Sequence, residues 1–303
     1  MGVTAAARGK LLLFGEHAAV YGHPAVGLSL PWQVRVVSTP GPTWELPGLG
    51  PYEPAVRTLI DRLGTMADEE GQPRPLPGLL EFSTEIPLGN GFGSSGALCA
   101  VLVNLFFPSL PLTAKDRLAW LAETQFHGTP SGIDTALALR EGWWALDAST
   151  RPVTATALPD PGLVLVAGSV IRQSDTRTLI ESLARRREAG DRVVIDTIEE
   201  LGRISSQAVT MLKAQTVAEL PSLIRRARHG LSALGLETPA LTSVLDAGLG
   251  CPGALAGKLS GAGGGGAFFL AFSSEEAAGQ AIPVIEQSVE AAQWTALPRL
   301  VVA

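Results

Sequence analysis

Pro87-Leu-Gly-Asn-Gly-Phe-Gly-Ser-Ser-Gly-Ala97 is the stretch of this chain that says most about its fold. Three glycines at alternate positions and a serine pair lead directly into an apolar run. Glycines let a backbone approach a ligand closely, and serine before an apolar run is typical of a helix N-terminus. Because helix N-termini attract anions, the stretch predicts either a phosphate-binding loop or a plain glycine turn before a buried helix.

The common alternatives to such a loop are missing from the sequence. The chain contains neither GxxxxGK[ST] nor a strand followed by GxGxxG with an acidic residue about 20 positions on. No G-x-S-x-G surrounds Ser94 or Ser95, which argues against a serine hydrolase. The stretch therefore has to be interpreted together with the rest of the chain.

Composition restricts the class of protein. The chain has 303 residues, of which 46% are hydrophobic and 17% charged, as in a well-buried globular protein. A net charge of −6 gives no electrostatic reason to expect nucleic acid or a membrane as partner. Two isolated cysteines, Cys99 and Cys251, form neither a disulfide framework nor a four-ligand metal site. We therefore expect a cytoplasmic protein without a membrane segment.

Hydrophobic periodicity predicts strands and helices in mixed order without regular βαβ alternation, which favours the α+β class. Thr113 and Asp116 have the spacing of a capping box at the start of one helix. A proline-rich stretch at 152–161 suggests a junction between an N-terminal domain, 1–155, and a C-terminal domain, 156–303. Helices are predicted near 54–66, 95–106, 114–126, 176–188, 193–213 and 217–233, and strands near 10–14, 34–38, 81–86, 143–146 and 163–166.

A second glycine cluster occupies residues 261–266, between a polar stretch and an apolar strand. Consecutive glycines cost backbone entropy, and they indicate close approach to a ligand or to another backbone. The cluster is either a ligand loop or a glycine hairpin.

Three charged residues are candidates for chemistry. Glu123 and Asp134 flank a Gly/Pro turn, so that one carboxylate could hold a metal while the other accepts a proton. Lys10 lies inside an apolar strand, and a buried lysine there needs a partner such as Asp134. The plainer alternatives are a turn or cap role for Asp134 and an edge-strand position for Lys10.

Together these segments resemble the three motifs of the GHMP small-molecule kinase superfamily, in order. Residues 9–22 (GKLLLFGEHAAVYG) are similar to the first motif, 87–97 to the second and 258–266 to the third. The resemblance implies a two-domain α+β fold, with an N-terminal ribosomal protein S5 domain 2-like part and a C-terminal ferredoxin-like part. The active site would then lie in the cleft between them.

The resemblance also implies a role for each motif residue in phosphoryl transfer from ATP, which needs positioning and charge neutralisation. Asp134 would accept the proton of the attacking hydroxyl, and Lys10 would orient that hydroxyl. Ser95 and Glu123 would hold Mg²⁺. The substrate-binding positions are Glu16, His17 and Thr176. The ATP-binding positions are Gly89, Gly91, Gly93, Ser94, Ser95, Gly96 and Gly263.

The first motif and the segment 127–134 are similar to those of the branch that phosphorylates mevalonate, so mevalonate is the expected acceptor. The alternatives are a sister kinase acting on phosphomevalonate, homoserine or another small alcohol, a decarboxylase relative, and a non-catalytic sensor. The resemblance leaves a homodimer open.

The chain departs from the superfamily pattern at several positions. Thr135 replaces an asparagine, Ser174 an arginine, and Gly96 an alanine. For a substrate carboxylate, Arg140 and Arg151 are the nearest candidate arginines after Asp134.

Overall fold

A computed structural model describes residues 2–126, 128, 130–174, 176–291 and 294–302 of the chain. Within that part, five strands form an antiparallel sheet in the order β1-β2-β4-β5, with β3 paired to β2. The long strand β2 is shared: residues 34–40 pair with β3, and residues 24–29 pair with β4. The strands are β1 (Val3–Phe14), β2 (Pro24–Pro40), β3 (Gly78–Thr84), β4 (Gly142–Asp147) and β5 (Thr154–Leu158).

A second antiparallel sheet follows along the chain. Its four strands, counted over the same described ranges, have the order β7-β8-β6-β9. They are β6 (Val164–Val170), β7 (Ala254–Leu259), β8 (Gly266–Phe272) and β9 (Trp294–Val302). The central strand β8 is buried along its whole length, as expected for an apolar strand covered on both faces.

The helices form two groups according to their position along the chain. Those that precede the second sheet along the chain are α1 (Glu53–Glu69), α2 (Ser94–Phe106), α3 (Leu112–Glu123) and α4 (Ile133–Ala138). Those interspersed with its strands are α5 (Thr176–Glu188), α6 (Arg192–Lys213), α7 (Leu220–Ala233), α8 (Pro239–Leu249) and α9 (Glu275–Ala291).

Helix α2 lies at the centre of the first half of the molecule. It contacts β1, β2, α3 and α4, and most of its residues are buried. A helix that is apolar on all sides needs such surroundings, because it has no polar face for water. Its burial fixes the glycine loop that precedes it against the neighbouring elements.

The two sheets are joined by helix contacts as well as by the chain. Helix α7 contacts β7 of the second sheet and β1 of the first. Helix α6, which packs against α7, contacts β1 and β2, and its Ser205 hydroxyl donates to the Pro24 carbonyl oxygen at 2.5 Å. The division into two domains remains our proposal. All of β5 pairs with β4, which favours placing the division within residues 159–163 rather than at 155/156.

The mixed α+β class is confirmed, and the predicted helices are present with small shifts at their ends. The capping box is wrong: α3 begins at Leu112 after Pro111, and the Asp116 carboxylate pairs with Arg140 instead. The N-cap of α2 is Gly93, one residue before the serine pair. None of the helices in the described ranges combines the length and the apolar character needed to cross a membrane.

Candidate active site

Lys10 and Asp134 meet at the centre of the site. The Lys10 Nζ atom lies 3.2 Å from the Asp134 Oδ1 atom, and the lysine side chain is 8% exposed. Lys10 comes from β1, and Asp134 is the second residue of α4, whose N-cap is Gly132 at φ 82°. The pairing expected for a buried lysine is therefore present, and the part-exposed carboxylate leaves room for a ligand.

Glu123 ends helix α3 close to this pair. Its residue is 3% exposed, and its Oε2 atom has no hydrogen-bond partner among the described residues. Burial, together with the charge of Asp134, raises the pKa of Glu123 to about 8, although Lys10 and a hydrogen bond from Thr135 act in the opposite direction. A buried carboxylate oxygen without a partner is the kind of group that a cation satisfies.

The glycine loop passes alongside Lys10. The Lys10 backbone N–H donates to the Phe92 carbonyl oxygen at 2.9 Å, which ties the loop to β1. Gly89, Gly91 and Gly93 all have positive φ, between 74° and 92°. Around Gly89 there is open space, whereas a Cβ atom at Gly91 would lie 3.0 Å from a guanidinium nitrogen of Arg172. The loop thus leads into the N-terminus of α2, where backbone N–H groups can bind an anion.

The third motif packs against the first motif, through a buried ion pair. Lys258 of β7 is completely buried, and its Nζ atom donates to a carboxylate oxygen of Glu16 and to the Leu259 carbonyl oxygen. Burial lowers the pKa of Lys258, and the charge of Glu16 opposes that shift. The pair joins the turn after β1 to the second sheet.

Two further hydrogen bonds connect the same segments. The His17 Nε2 atom lies 3.0 Å from the Ala262 carbonyl oxygen, and the Leu12 backbone N–H donates to the Ser260 hydroxyl at 2.8 Å. His17 has a φ of 58°, a left-handed conformation that histidine adopts more readily than most side chains. Burial lowers the pKa of His17, which favours the neutral ring.

Arg172 is a site residue that sequence reasoning missed. It follows β6, and its guanidinium lies beside both glycine segments, 3.0 Å from the Cβ position of Gly91 and 2.9 Å from that of Gly266. Partial burial lowers the pKa of Arg172, and the charge of Asp134 raises it. No motif marks this arginine in the sequence, since only the fold brings it to Asp134.

Lys258 is a second buried residue of the site to which the motifs assign no role, although the sequence contains one signal for it. Like Lys10, it stands inside an apolar strand and so needs a buried partner.

Two of the remaining candidate positions, Gly263 and Arg140, are placed away from the Lys10–Asp134 pair. Gly263 faces the second half of the molecule, because its Cβ position lies 2.7 Å from the carbonyl oxygen of Leu236. Thr176 begins α5, and only its backbone is described. His127, the first residue of the segment 127–134, lies outside the described residues. Arg140 donates to both oxygens of Asp116 at 2.5 Å, and this pairing disfavours it as a carboxylate anchor.

Family models match both halves of the chain. The model described as the GHMP kinases N terminal domain matches residues 54–142, and the one described as GHMP kinases C terminal matches residues 208–290. Curated relatives match almost end to end. A mevalonate kinase of Archaeoglobus fulgidus is 30% identical over 92% of this chain and 95% of its own length. A mevalonate kinase of Thermococcus gammatolerans is 27% identical, with 89% of each chain covered.

Solved structures share the fold. The crystal structure of L. major mevalonate kinase in complex with R-mevalonate has a TM-score of 0.81 at 20% identity, covering 99% of this chain and 95% of that one. The Streptococcus pneumoniae phosphomevalonate kinase has a TM-score of 0.77 at 16% identity, covering 99% and 98%.

The fold and these matches define the class of protein as a small-molecule phosphotransferase. The chain belongs to the GHMP kinase family.

Proposed function

We propose that this protein transfers the γ-phosphoryl group of ATP to the primary hydroxyl of mevalonate, giving 5-phosphomevalonate for isoprenoid synthesis. The observation that carries the chemistry is the 3.2 Å contact between Lys10 Nζ and Asp134 Oδ1 beside the glycine loop. The choice of acceptor is supported by the curated relatives, which are mevalonate kinases.

The roles of the side chains follow from their charge and position. Asp134 hydrogen-bonds the acceptor hydroxyl and takes its proton as the oxygen attacks. Lys10 holds the Asp134 carboxylate and orients the hydroxyl. Arg172 places a permanent positive charge beside the loop, where negative charge spreads over the transferring phosphoryl oxygens.

The glycine loop and the N-terminus of α2 bind the ATP phosphates. The first N–H groups of a helix have no acceptor within the helix and carry its positive dipole end. In this chain they belong to Ser94, Ser95 and Gly96. These three residues come directly after the loop that contains the glycines at 89, 91 and 93. The loop needs no lysine of its own, because Lys10 and Arg172 supply the positive charge.

The residues present fit a magnesium ion. Glu123 offers a buried carboxylate oxygen without a described partner, and Ser95 offers a hydroxyl in the first turn of α2. Both are oxygen ligands, which Mg²⁺ prefers. When bound, the ion would neutralise charge on the ATP phosphates.

Glu16, His17 and Thr176 remain our proposed substrate-side positions. The burial of Glu16 against Lys258 favours an indirect role for it, in which it shapes the acceptor pocket from behind. We propose a cytoplasmic location. The family resemblance leaves a homodimer open.

An acceptor panel tests the function. Purified protein with MgATP is given mevalonate, phosphomevalonate, homoserine or galactose, and ADP release is measured. We expect turnover with mevalonate at least about tenfold above the other acceptors, since a site built for one polar substrate rejects its analogues strongly. Turnover confined to phosphomevalonate, homoserine or galactose would instead assign the chain to a sister activity.

A further inference from the structure

Helix α5 has little apolar packing along its length. Among residues 177–188, all of which the structure describes, Leu183 alone is buried. A helix that fully buries one side chain gains little from the hydrophobic effect, because that contribution grows with the apolar area removed from water. The orientation of α5 therefore depends strongly on the contacts at its two ends.

The start of α5 lies on the third motif. The Gln173 backbone N–H, just before the helix, donates to the Gly264 carbonyl oxygen at 2.8 Å. In the first turn of the helix, the Leu179 Cδ1 atom lies 2.7 Å from the Cβ position of Gly264. That turn begins at Thr176, one of the proposed acceptor-side positions. This end of α5 is thus held beside the glycine cluster.

The other end of α5 lies on the first motif. The Arg187 guanidinium stacks over the Tyr21 ring, with its carbon atom 4.4 Å from the ring centroid. At that distance a guanidinium is attracted to the negative face of an aromatic ring. Both residues are half-buried, so water screens the attraction only in part.

Tyr21 belongs to the same compact turn as His17. The Tyr21 backbone N–H donates to the Ala18 carbonyl oxygen at 3.0 Å, and the Ala19 backbone N–H donates to the Gly15 carbonyl oxygen at 3.0 Å. Because its backbone groups are paired with one another, the turn moves as one unit. A contact on Tyr21 therefore also affects His17, another proposed acceptor-side position.

We propose that Arg187 and Tyr21 are positioning residues, which fasten α5 across the acceptor pocket. At about 1.5 Å per residue, the helix spans about 20 Å between the third motif and the first. Thr176 at one end and the turn of His17 at the other then enclose the acceptor from two sides. The inference rests on the proposed function of Thr176 and His17, and it adds two residues to which that function assigns no role.

Loss of the contact should weaken acceptor binding and spare the chemical step. Without it, α5 can swing about its packed Leu183 side chain, while Lys10 on β1 and Asp134 on α4 keep their places. A change that removes binding shared by substrate and transition state raises KM and leaves kcat unchanged. We therefore expect Arg187→Ala to raise the acceptor KM about 3- to 10-fold, with kcat and the ATP KM within about twofold of wild type.

Matched variants separate the ring contact from charge and helix effects. Arg185→Ala removes the same charge from the last turn of α5, but Arg185 is exposed and its guanidinium donates within the helix, to the Glu181 carbonyl oxygen. Tyr21→Phe keeps the ring, and Tyr21→Leu removes it. KM and kcat are measured with whichever acceptor of the panel the wild type turns over.

R185A and Y21F should match the wild type, whereas R187A and Y21L should each raise the acceptor KM. The double variant R187A/Y21L should raise it no further than either change alone, since both remove one interaction. An R187A acceptor KM within about twofold of wild type would overturn the proposal. So would an R185A enzyme that loses acceptor affinity as R187A does, or additive effects in the double variant.

Amide hydrogen exchange tests the contact without an acceptor. In the unliganded protein, residues 177–188 should exchange faster in R187A than in the wild type or R185A, because a helix released at one end opens more often. Equal exchange in R187A and R185A would overturn the proposal. A wild type that turns over no acceptor, but whose α5 exchanges faster in R187A, would refute the proposed function and support the fastening contact.

Discussion

Burial shifts three side chains around the site toward their neutral forms. It raises the pKa of Glu123 to about 8, and it lowers the pKa values of Lys258 and His17. In each case desolvation is the largest cause, because removing a charged group from water disfavours its charged form. The site therefore holds ionisable groups whose charge a ligand can change.

The Glu123 carboxyl makes stability depend on pH. Its pKa rises from 4.5 in the unfolded chain to about 8, so between these values the folded state binds more protons than the unfolded state. Its contribution to stability is therefore complete below pH 4.5 and is lost as the pH rises toward 8. In metal-free buffer, Glu123→Gln should gain at least about 1 kcal/mol relative to wild type between pH 5 and pH 8.

Denaturant unfolding at several pH values measures this difference. Glu290→Gln, at an exposed position on α9, is the control for removing one carboxylate elsewhere. A constant difference between E123Q and wild type from pH 5 to pH 8 would show that Glu123 titrates normally.

At the scale of elements, the buried Glu16–Lys258 pair fastens β7 to the turn after β1. Breaking such a pair leaves one charge buried and costs about 3–5 kcal/mol, whereas replacing both partners by apolar residues is often neutral. We therefore expect Lys258→Met to be strongly destabilising and the double variant E16L/K258M to recover most of the loss. Denaturant unfolding of the two single variants and the double variant measures the coupling.

The exposed pair Arg57–Glu53 on α1 gives a matched control, since surface pairs contribute about 0–1 kcal/mol. Arg57→Met should change stability by no more than that. Additive losses in E16L/K258M would mean that the two side chains do not depend on each other.

Local structure was largely predictable from the sequence at this scale. Apolar periodicity determines where α5 and α6 lie, because each helix has to bury one face. The predicted start of α3 is wrong because an aspartate such as Asp116 can have either of two structural roles. It can cap a helix or pair with an arginine, and only the fold brings Arg140, 24 residues away, to it.

Across the whole molecule, the site is assembled from segments far apart in the chain. Lys10, Asp134, Arg172 and the segment 258–266 come from both halves of the chain and meet only after folding. Lys10 and Asp134 were recognisable in the sequence, since a lysine in an apolar strand and an aspartate after a glycine turn both need an explanation. Arg172 was not, because its environment is made by two glycine segments that are distant in sequence.

We propose that one site, centred on Lys10 and Asp134, phosphorylates mevalonate. The most direct test is a single turnover with limiting ATP, Mg²⁺ and mevalonate, followed by ³¹P NMR for wild type and Asp134→Ala side by side. Wild type should convert the γ-phosphate of ATP into a phosphomonoester of mevalonate. D134A should bind ATP but transfer at least about 100-fold more slowly. A wild type that forms no mevalonate phosphoester, or a D134A variant that transfers at nearly the wild-type rate, would contradict the account.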